Sequence, residues 1–148
     1  MSEQKTLLLT GASRGIGHAT VKHFHASGWR IFTASRQNWV EDCPWVEGVL
    51  NHIHLDLEDI NSVQDTLPLI KEKLGGRLDA LVDNAGISPK GVDGSRLGVR
   101  QTDYATWLRV FNVNLFSCAL LANGLFDELR ASQGSIINIT SIAGKIGR

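Results

Sequence analysis

Short apolar runs, each ended by a glycine or a polar residue, alternate with segments of helical period along most of this 148-residue chain. That alternation limits the possible folds more than any other feature of the sequence. Thr6 to Thr10 is a largely apolar run stopped by Gly11, the mark of a buried parallel strand. Gly15 to Ser27 follows, with Ile16, Ala19, Thr20 and Phe24 at helical spacing and Gly28 placed to cap the end. Arg30 to Ala34 reads as a second strand and Ile53 to Leu55 as a short third. Between them, residues 36 to 50 hold Trp39, Cys43, Pro44 and Trp45 without a clean period. Ile60, Val63, Leu67, Ile70 and Leu74 fall three and four apart, giving an amphipathic helix stopped by Gly75-Gly76. Pro68 lies inside it and is expected to kink or restart it. Ala80 to Asp83 is a fourth strand, Asp103 to Arg130 a long helix with an apolar middle, and Ser135 to Thr140 a fifth strand.

This order implies right-handed crossovers and an α/β fold, a parallel sheet with helices on both faces. Ligands of such sheets sit outside the carboxyl ends of the strands, where the winding reverses. Chemistry is therefore sought just after strands one, two, four and five. Composition narrows the choice of partner. The chain is 43% hydrophobic, enough for one domain with a sizeable core, and its 15 basic residues balance 15 acidic ones. Zero formal charge argues against nucleic acid or an anionic membrane, both of which need a basic face. The polar start, Met1 to Lys5, does not read as a signal peptide. The apolar stretch Val110 to Phe126 is interrupted by Asn112, Asn114, Asn123 and Gly124, which reads as too polar for a membrane span. Cys43 and Cys118 form no disulfide framework or metal spacing, so a reducing cytoplasm is the expected compartment.

After the first strand comes Thr10-Gly11-Ala12-Ser13-Arg14-Gly15-Ile16-Gly17. Gly11 permits the tight turn, while Gly15 and Gly17 allow a diphosphate to approach the backbone at the start of a helix. The first helical amides and the helix dipole favour an anion there. The alternative is a glycine-rich turn with no ligand, but strand, glycines and helix occur here together. No Gly-Lys-Ser/Thr follows, so an ATP-hydrolysing phosphate loop is not expected.

This loop resembles that of the short-chain dehydrogenase/reductase family, Thr-Gly-x-x-x-Gly-x-Gly. Further matches stand in the same order along the chain. Asp56-Leu57 after the third strand is similar to the family's adenine-holding pair, and Asn84-Ala85-Gly86 after the fourth to its Asn-Ala-Gly signature beside the cofactor. Asn114 falls where the family has its active-site asparagine, and Ser141 where it has its catalytic serine. The resemblance implies a Rossmann-type doubly wound sheet that stops after its fifth strand, and an oxidoreductase moving a hydride between a nicotinamide cofactor and an alcohol or carbonyl.

The residue ending the second strand decides how an adenosine ribose is read. A carboxylate accepts from the 2′-hydroxyl of NAD, whereas an arginine accommodates the extra phosphate of NADP. Ser35 stands at the acidic position, Arg36 follows, and no carboxylate appears until Glu41. Arg36 can pair with a phosphate through charge-assisted contacts, and Arg14 can reach the same region. The alternative is two ordinary surface arginines. The combination favours NADP(H) over NAD(H), with Gly11, Ser13, Arg14, Gly15, Ile16, Gly17, Ser35, Arg36, Asp56, Leu57, Asn84, Ala85 and Gly86 expected along the cofactor.

At the reacting end, the family resemblance implies a tyrosine as proton donor, a lysine that lowers its pKa, a serine that orients the substrate oxygen and an asparagine that supports a relay water. A developing alkoxide needs such donors. Ser141 and Asn114 are the candidates for two of these roles, with Thr140 a neighbouring alternative to Ser141. An asparagine in an apolar helical run is expected to find buried partners. The family's Tyr-x-x-x-Lys is absent: the only tyrosine, Tyr104, is followed four residues on by Leu108. The expectation is an incomplete version of a longer enzyme, homo-oligomeric when complete; the alternative is a non-catalytic nucleotide-binding or scaffold protein. A methyltransferase of similar fold would not need Arg36, Asn84-Ala85-Gly86 or Ser141. On this reading the fifth strand, with Ile136, Ile137 and Ile139, forms an open apolar edge, and Val110, Phe111, Leu115 or Phe116 is exposed on the long helix. His23, His25, His52 and His54 lack a third ligand at suitable spacing and read as ordinary histidines, so no metal is expected. The glycine-rich connection from Ile87 to Thr102 is read as a substrate-side wall.

Overall fold

The computed structural model describes residues 4–37 and 51–145. Five strands form one parallel sheet: β1 (Thr6–Thr10), β2 (Arg30–Ser35), β3 (His52–His54), β4 (Ala80–Asp83) and β5 (Ser135–Asn138). Their spatial order is β3-β2-β1-β4-β5. The chain winds outward from β1 to β3, then returns to place β4 on the other side of β1. The winding reverses between β1 and β4, and a crevice opens there at the carboxyl ends.

All five residues of β1 are buried, as a central strand covered on both faces requires. Alternation sorts its side chains between two cores. Leu7 and Leu9 join Ile31, Val82 and Val21 on the side of α1 (Gly15–Ala26). Leu8 joins Phe32, Ile53 and Leu81 on the opposite face. That second core is covered by α2 (Ile60–Leu74) and by the helices that follow β4. Asp59 caps α2, its carboxylate accepting from the Asn61 amide at 2.9 Å, and Gly75 ends it in the left-handed conformation. The expected restart at Pro68 does not occur, because α2 runs unbroken through it.

The expected long helix is resolved into parts. α3 (Tyr104–Phe111) passes through a π-helical turn, Asn112–Phe116, into α4 (Ser117–Gly124), and α5 (Phe126–Ser132) follows a break at Leu125. Glycine is a poor helix former, and Leu125, with ψ of 16°, leaves the helical path just after Gly124. The π turn holds an extra residue where Asn112 and Asn114 reach backbone groups outside the helix, which no hydrophobic period reveals. β3 starts one residue earlier than expected and β5 ends at Asn138 rather than Thr140, although Ile139 N–H still donates to Asp83 O at 2.9 Å. Residues 38–50, including Trp39, Glu41, Cys43, Pro44 and Trp45, lie outside the described residues.

By length and composition alone, Tyr104–Gly124 passes for a membrane span, as the core helices of soluble proteins also do. In this fold it lies against the sheet with Leu121 wholly buried and α4 packed on α2. β5 has β4 as its one hydrogen-bonded neighbour among the described residues, and Ile136, Ile137 and Ile139 are exposed. Phe111, Leu115 and Phe116 are exposed on the helix nearby, as is Leu108, whereas Val110 is half-buried.

Candidate functional site

The crevice at the winding reversal is built from backbone upward. Gly11 leaves β1 with φ of +72°, and its amide donates to Ala34 O at 3.0 Å, tying the loop to the end of β2. Gly17 lies so close to Gly11 that a Cβ would collide with the Gly11 carbonyl and stand 2.6 Å from Asn84 Nδ2. No other residue type fits there without displacing the loop. The Thr10 hydroxyl accepts from the amides of Asn84 and Ala85, both at 3.1 Å. Asn84 Nδ2 donates back to the carbonyls of Thr10 and Gly11 at 3.1 and 3.0 Å. The side chain of Asn84 therefore braces the loop, a role its place in a motif did not disclose.

A cleft of about 340 Å³ runs over this frame. It is lined by Gly11, Ser13, Arg14, Gly15 and Ile16 of the loop, Ser35 and Arg36 after β2, Asp56 and Leu57 after β3, and Asn84, Ala85 and Gly86 after β4. Of the thirteen residues expected along a cofactor, only Gly17 does not line it; Gly17 is buried beneath the loop, supporting Gly11. The turn after β2 is held by His52. Its Nε2 lies 2.8 Å from Gln37 O and its Nδ1 2.8 Å from Thr33 Oγ1, so Nε2–H donates to the carbonyl and the Thr33 hydroxyl donates to Nδ1. Burial lowers the pKa of this ring and favours the neutral form. The Ser35 hydroxyl donates to Gln37 O at 3.1 Å, completing the turn. No group of three or more potential metal ligands occurs among the described residues.

Arg36 is engaged in this state. Its Nη1 pairs with Glu58 Oε1 at 2.7 Å, and Glu58 also accepts from Arg109 on α3, at 3.0 Å from Nη2 and 3.1 Å from Nε. Hydrogen bonds from Arg109, then the charges of both arginines, hold the Glu58 pKa below the ordinary carboxylate value. Neither Glu58 nor Arg109 was singled out in the sequence, since nothing in their spacing, 51 residues apart, joins them.

A second cavity, about 790 Å³, adjoins the first through the shared residues Ala85, Gly86 and Ile87. Asn114, Cys118, Asn138, Thr140 and Ser141 line it, together with Asp83. Asn114, the asparagine expected to find buried partners, is itself exposed and lines this cavity. It is nonetheless fully engaged, accepting from Ile87 N at 2.8 Å and donating to Ile87 O at 2.9 Å. The buried asparagine of this helix is Asn112, which donates to Glu58 O at 2.8 Å. Ser141 Oγ accepts from Ala143 N at 3.2 Å, so its own hydroxyl hydrogen is left to donate into the cavity. Asp83 is 4% exposed, and both its carboxyl oxygens lack a hydrogen-bond partner among the described residues. Burial pushes its pKa up to about 7. The sequence offered one signal, a carboxylate placed at the core-facing parity of an apolar strand.

The family model for short chain dehydrogenases matches residues 5–148. The chain belongs to the short-chain dehydrogenase family. This short-chain dehydrogenase chain is 52% identical over 144 residues to Protein FixR of Bradyrhizobium diazoefficiens, covering 96% of this chain and 52% of that protein. A crystal structure of a Brucella ovis oxidoreductase of the family, in complex with a partially ordered NAD, aligns with a TM-score of 0.93 and 51% identity, over 99% of this chain and 67% of that one. A metagenomic short-chain oxidoreductase in complex with NADP aligns with a TM-score of 0.81 and 28% identity, over 97% of this chain and 65% of that one. The short-chain dehydrogenase chain spans about half the length of the curated relatives it matches.

Proposed function

We propose that this chain is the nucleotide-binding portion, folded as one domain, of an NADP(H)-dependent oxidoreductase that interconverts an alcohol and a carbonyl. The observation that carries the reading is the cleft over the Gly11–Gly17 loop, with Arg14 and Arg36 at one end and the Asn114–Ser141 cavity at the other. The residues present fit a dinucleotide. Gly17 has no room for a Cβ, and Gly11, Gly15 and the first amides of α1 offer backbone to a diphosphate. Asp56, Leu57 and Arg36 line the same cleft, which supports reading the first two as holding the adenosine and Arg36 as the ligand of a 2′-phosphate.

A nicotinamide dinucleotide, if bound, would supply the hydride chemistry, with Gly86 among the cleft residues that would hold it. Ser141 donates its hydroxyl hydrogen to the substrate oxygen and steadies the negative charge that develops there. Asn114 fixes the Ile87 backbone, and through it the wall shared by the two cavities. The tyrosine and lysine of the family pattern belong, on this reading, to polypeptide outside residues 1–148. Ile87 and Ser88 start the connection that forms the substrate-side wall.

Cofactor choice is tested by fluorescence titration of the complete polypeptide. NADPH is expected to bind more tightly than NADH, and Arg36→Asp to narrow or reverse the preference. A charge-assisted phosphate contact is worth about 1.5–3 kcal/mol, roughly ten- to a hundredfold in affinity. Equal affinities in the unsubstituted protein would overturn the NADP(H) assignment.

A further inference from the structure

We propose that Glu58 sets the ratio of NADPH to NADH affinity, by occupying the Arg36 guanidinium that a 2′-phosphate must recruit. The proposal rests on the reading of Arg36 as the phosphate ligand. Glu58 lines the same cleft as Arg36, and its Oε1 lies 2.7 Å from Arg36 Nη1. A phosphate arriving at Arg36 therefore meets a carboxylate already bound there.

Glu58 cannot easily withdraw. Its amide donates to Asp56 Oδ1 at 2.9 Å, and its carbonyl accepts from the buried Asn112 at 2.8 Å. Both ends of its backbone are thus fixed, one by the turn after β3 and one by the π turn of the long helix. What makes exchange feasible is Arg109. It holds both carboxylate oxygens of Glu58 in a fork, whereas Arg36 holds one. When Arg36 turns to a phosphate, Glu58 keeps a full charge partner and no carboxylate is stranded. Arg36 and Arg109 are each about half exposed, so the pair that must open is weak and exchangeable.

Arg14, Arg36 and Arg109 outnumber Glu58 and Asp56 by one positive charge at this end of the cleft. The excess suits a dianionic phosphate, and Glu58 moderates it. The cluster favours NADP(H) less strongly than Arg36 alone would.

The test is a set of dissociation constants for NADPH and NADH, measured on the complete polypeptide and on Glu58→Gln, Arg109→Met and Arg36→Ala. Glu58→Gln frees Arg36 and is expected to tighten NADPH about three- to tenfold while NADH stays within about twofold. Arg109→Met leaves Glu58 to Arg36 alone and is expected to weaken NADPH about threefold with NADH again unchanged. These opposite shifts in one ratio cannot come from a merely structural role, which would move both cofactors together. If Arg36→Ala weakens NADPH while the ratio in Glu58→Gln equals that of the unsubstituted protein, the Glu58 proposal is overturned and the phosphate reading stands. If Arg36→Ala changes neither affinity, the phosphate reading fails and the Glu58 proposal with it.

Discussion

Ser141→Ala is expected to lower turnover of the complete polypeptide by about 10²- to 10⁴-fold, while NADPH affinity stays within about twofold. Ser141 sits in the Asn114 cavity, not among the residues lining the nucleotide cleft. Its oxygen is already used as an acceptor by the Ala143 amide, which directs the hydroxyl hydrogen outward. A donor aimed at a substrate oxygen gains strength as charge builds there, so its loss falls on the catalytic rate rather than on ground-state binding. The substitution also removes the cap of the short helical turn Ile142–Gly144. Ser141→Thr, which keeps the oxygen, separates these effects and is expected to recover most of the rate. Steady-state kinetics with a carbonyl substrate, beside a cofactor titration, measure both quantities. Normal turnover in the alanine variant would move the role to Thr140, the other hydroxyl lining the cavity.

Asp83→Asn is expected to stabilise the fold by about 4 kcal/mol at pH 8 and to leave it almost unchanged at pH 4. The sign follows from the direction of the shift. In the unfolded chain the carboxyl ionises near its ordinary value of 3.8, whereas in the fold it holds its proton to about 7. Between these values the folded state binds more protons, so stability falls as pH rises. The loss is complete once pH exceeds the folded pKa. An asparagine of the same shape carries no charge to desolvate and removes this slope. Urea unfolding from pH 4 to pH 8 checks it; parallel stability profiles for the two proteins would show that Asp83 is solvated or paired after all. Ionised Asp83 also contributes, after burial, to raising the Cys118 thiol pKa, so the same variant should make Cys118 more reactive to alkylation at pH 8.

The succession of strands along the chain and the glycine loop were legible because each rests on local chemistry. Leu7, Leu8 and Leu9 form a wholly buried strand, and Gly11 and Gly17 are the close backbone approaches of the loop. Twelve of the thirteen residues expected along a cofactor line one cleft for the same reason: the ends of parallel strands converge whatever lies between them. What escaped was set by contacts distant in sequence. The Thr10–Asn84 clasp spans 74 residues and the Glu58–Arg109 fork 51, and neither leaves a periodic trace. Asn112 and Asn114 share one helix two residues apart, which sets them about 200° apart around the axis, so one is buried and the other exposed, and the apolar residues around them do not say which. Asp83 was passed over as the last letter of an apolar strand, where its parity with Leu81 already placed it toward the core.

Hydrogen–deuterium exchange of the complete polypeptide, with and without saturating NADPH, reads the occupied surface residue by residue. Exchange is expected to slow at residues 11–17, 35–37, 56–58 and 84–87, the segments that meet over the winding reversal, and to stay unchanged along α5 and the exposed end of α1 from Lys22 to Ala26. NADPH that bound without slowing those four segments, or that did not bind at all, would contradict the assignment of this cleft to a nicotinamide dinucleotide.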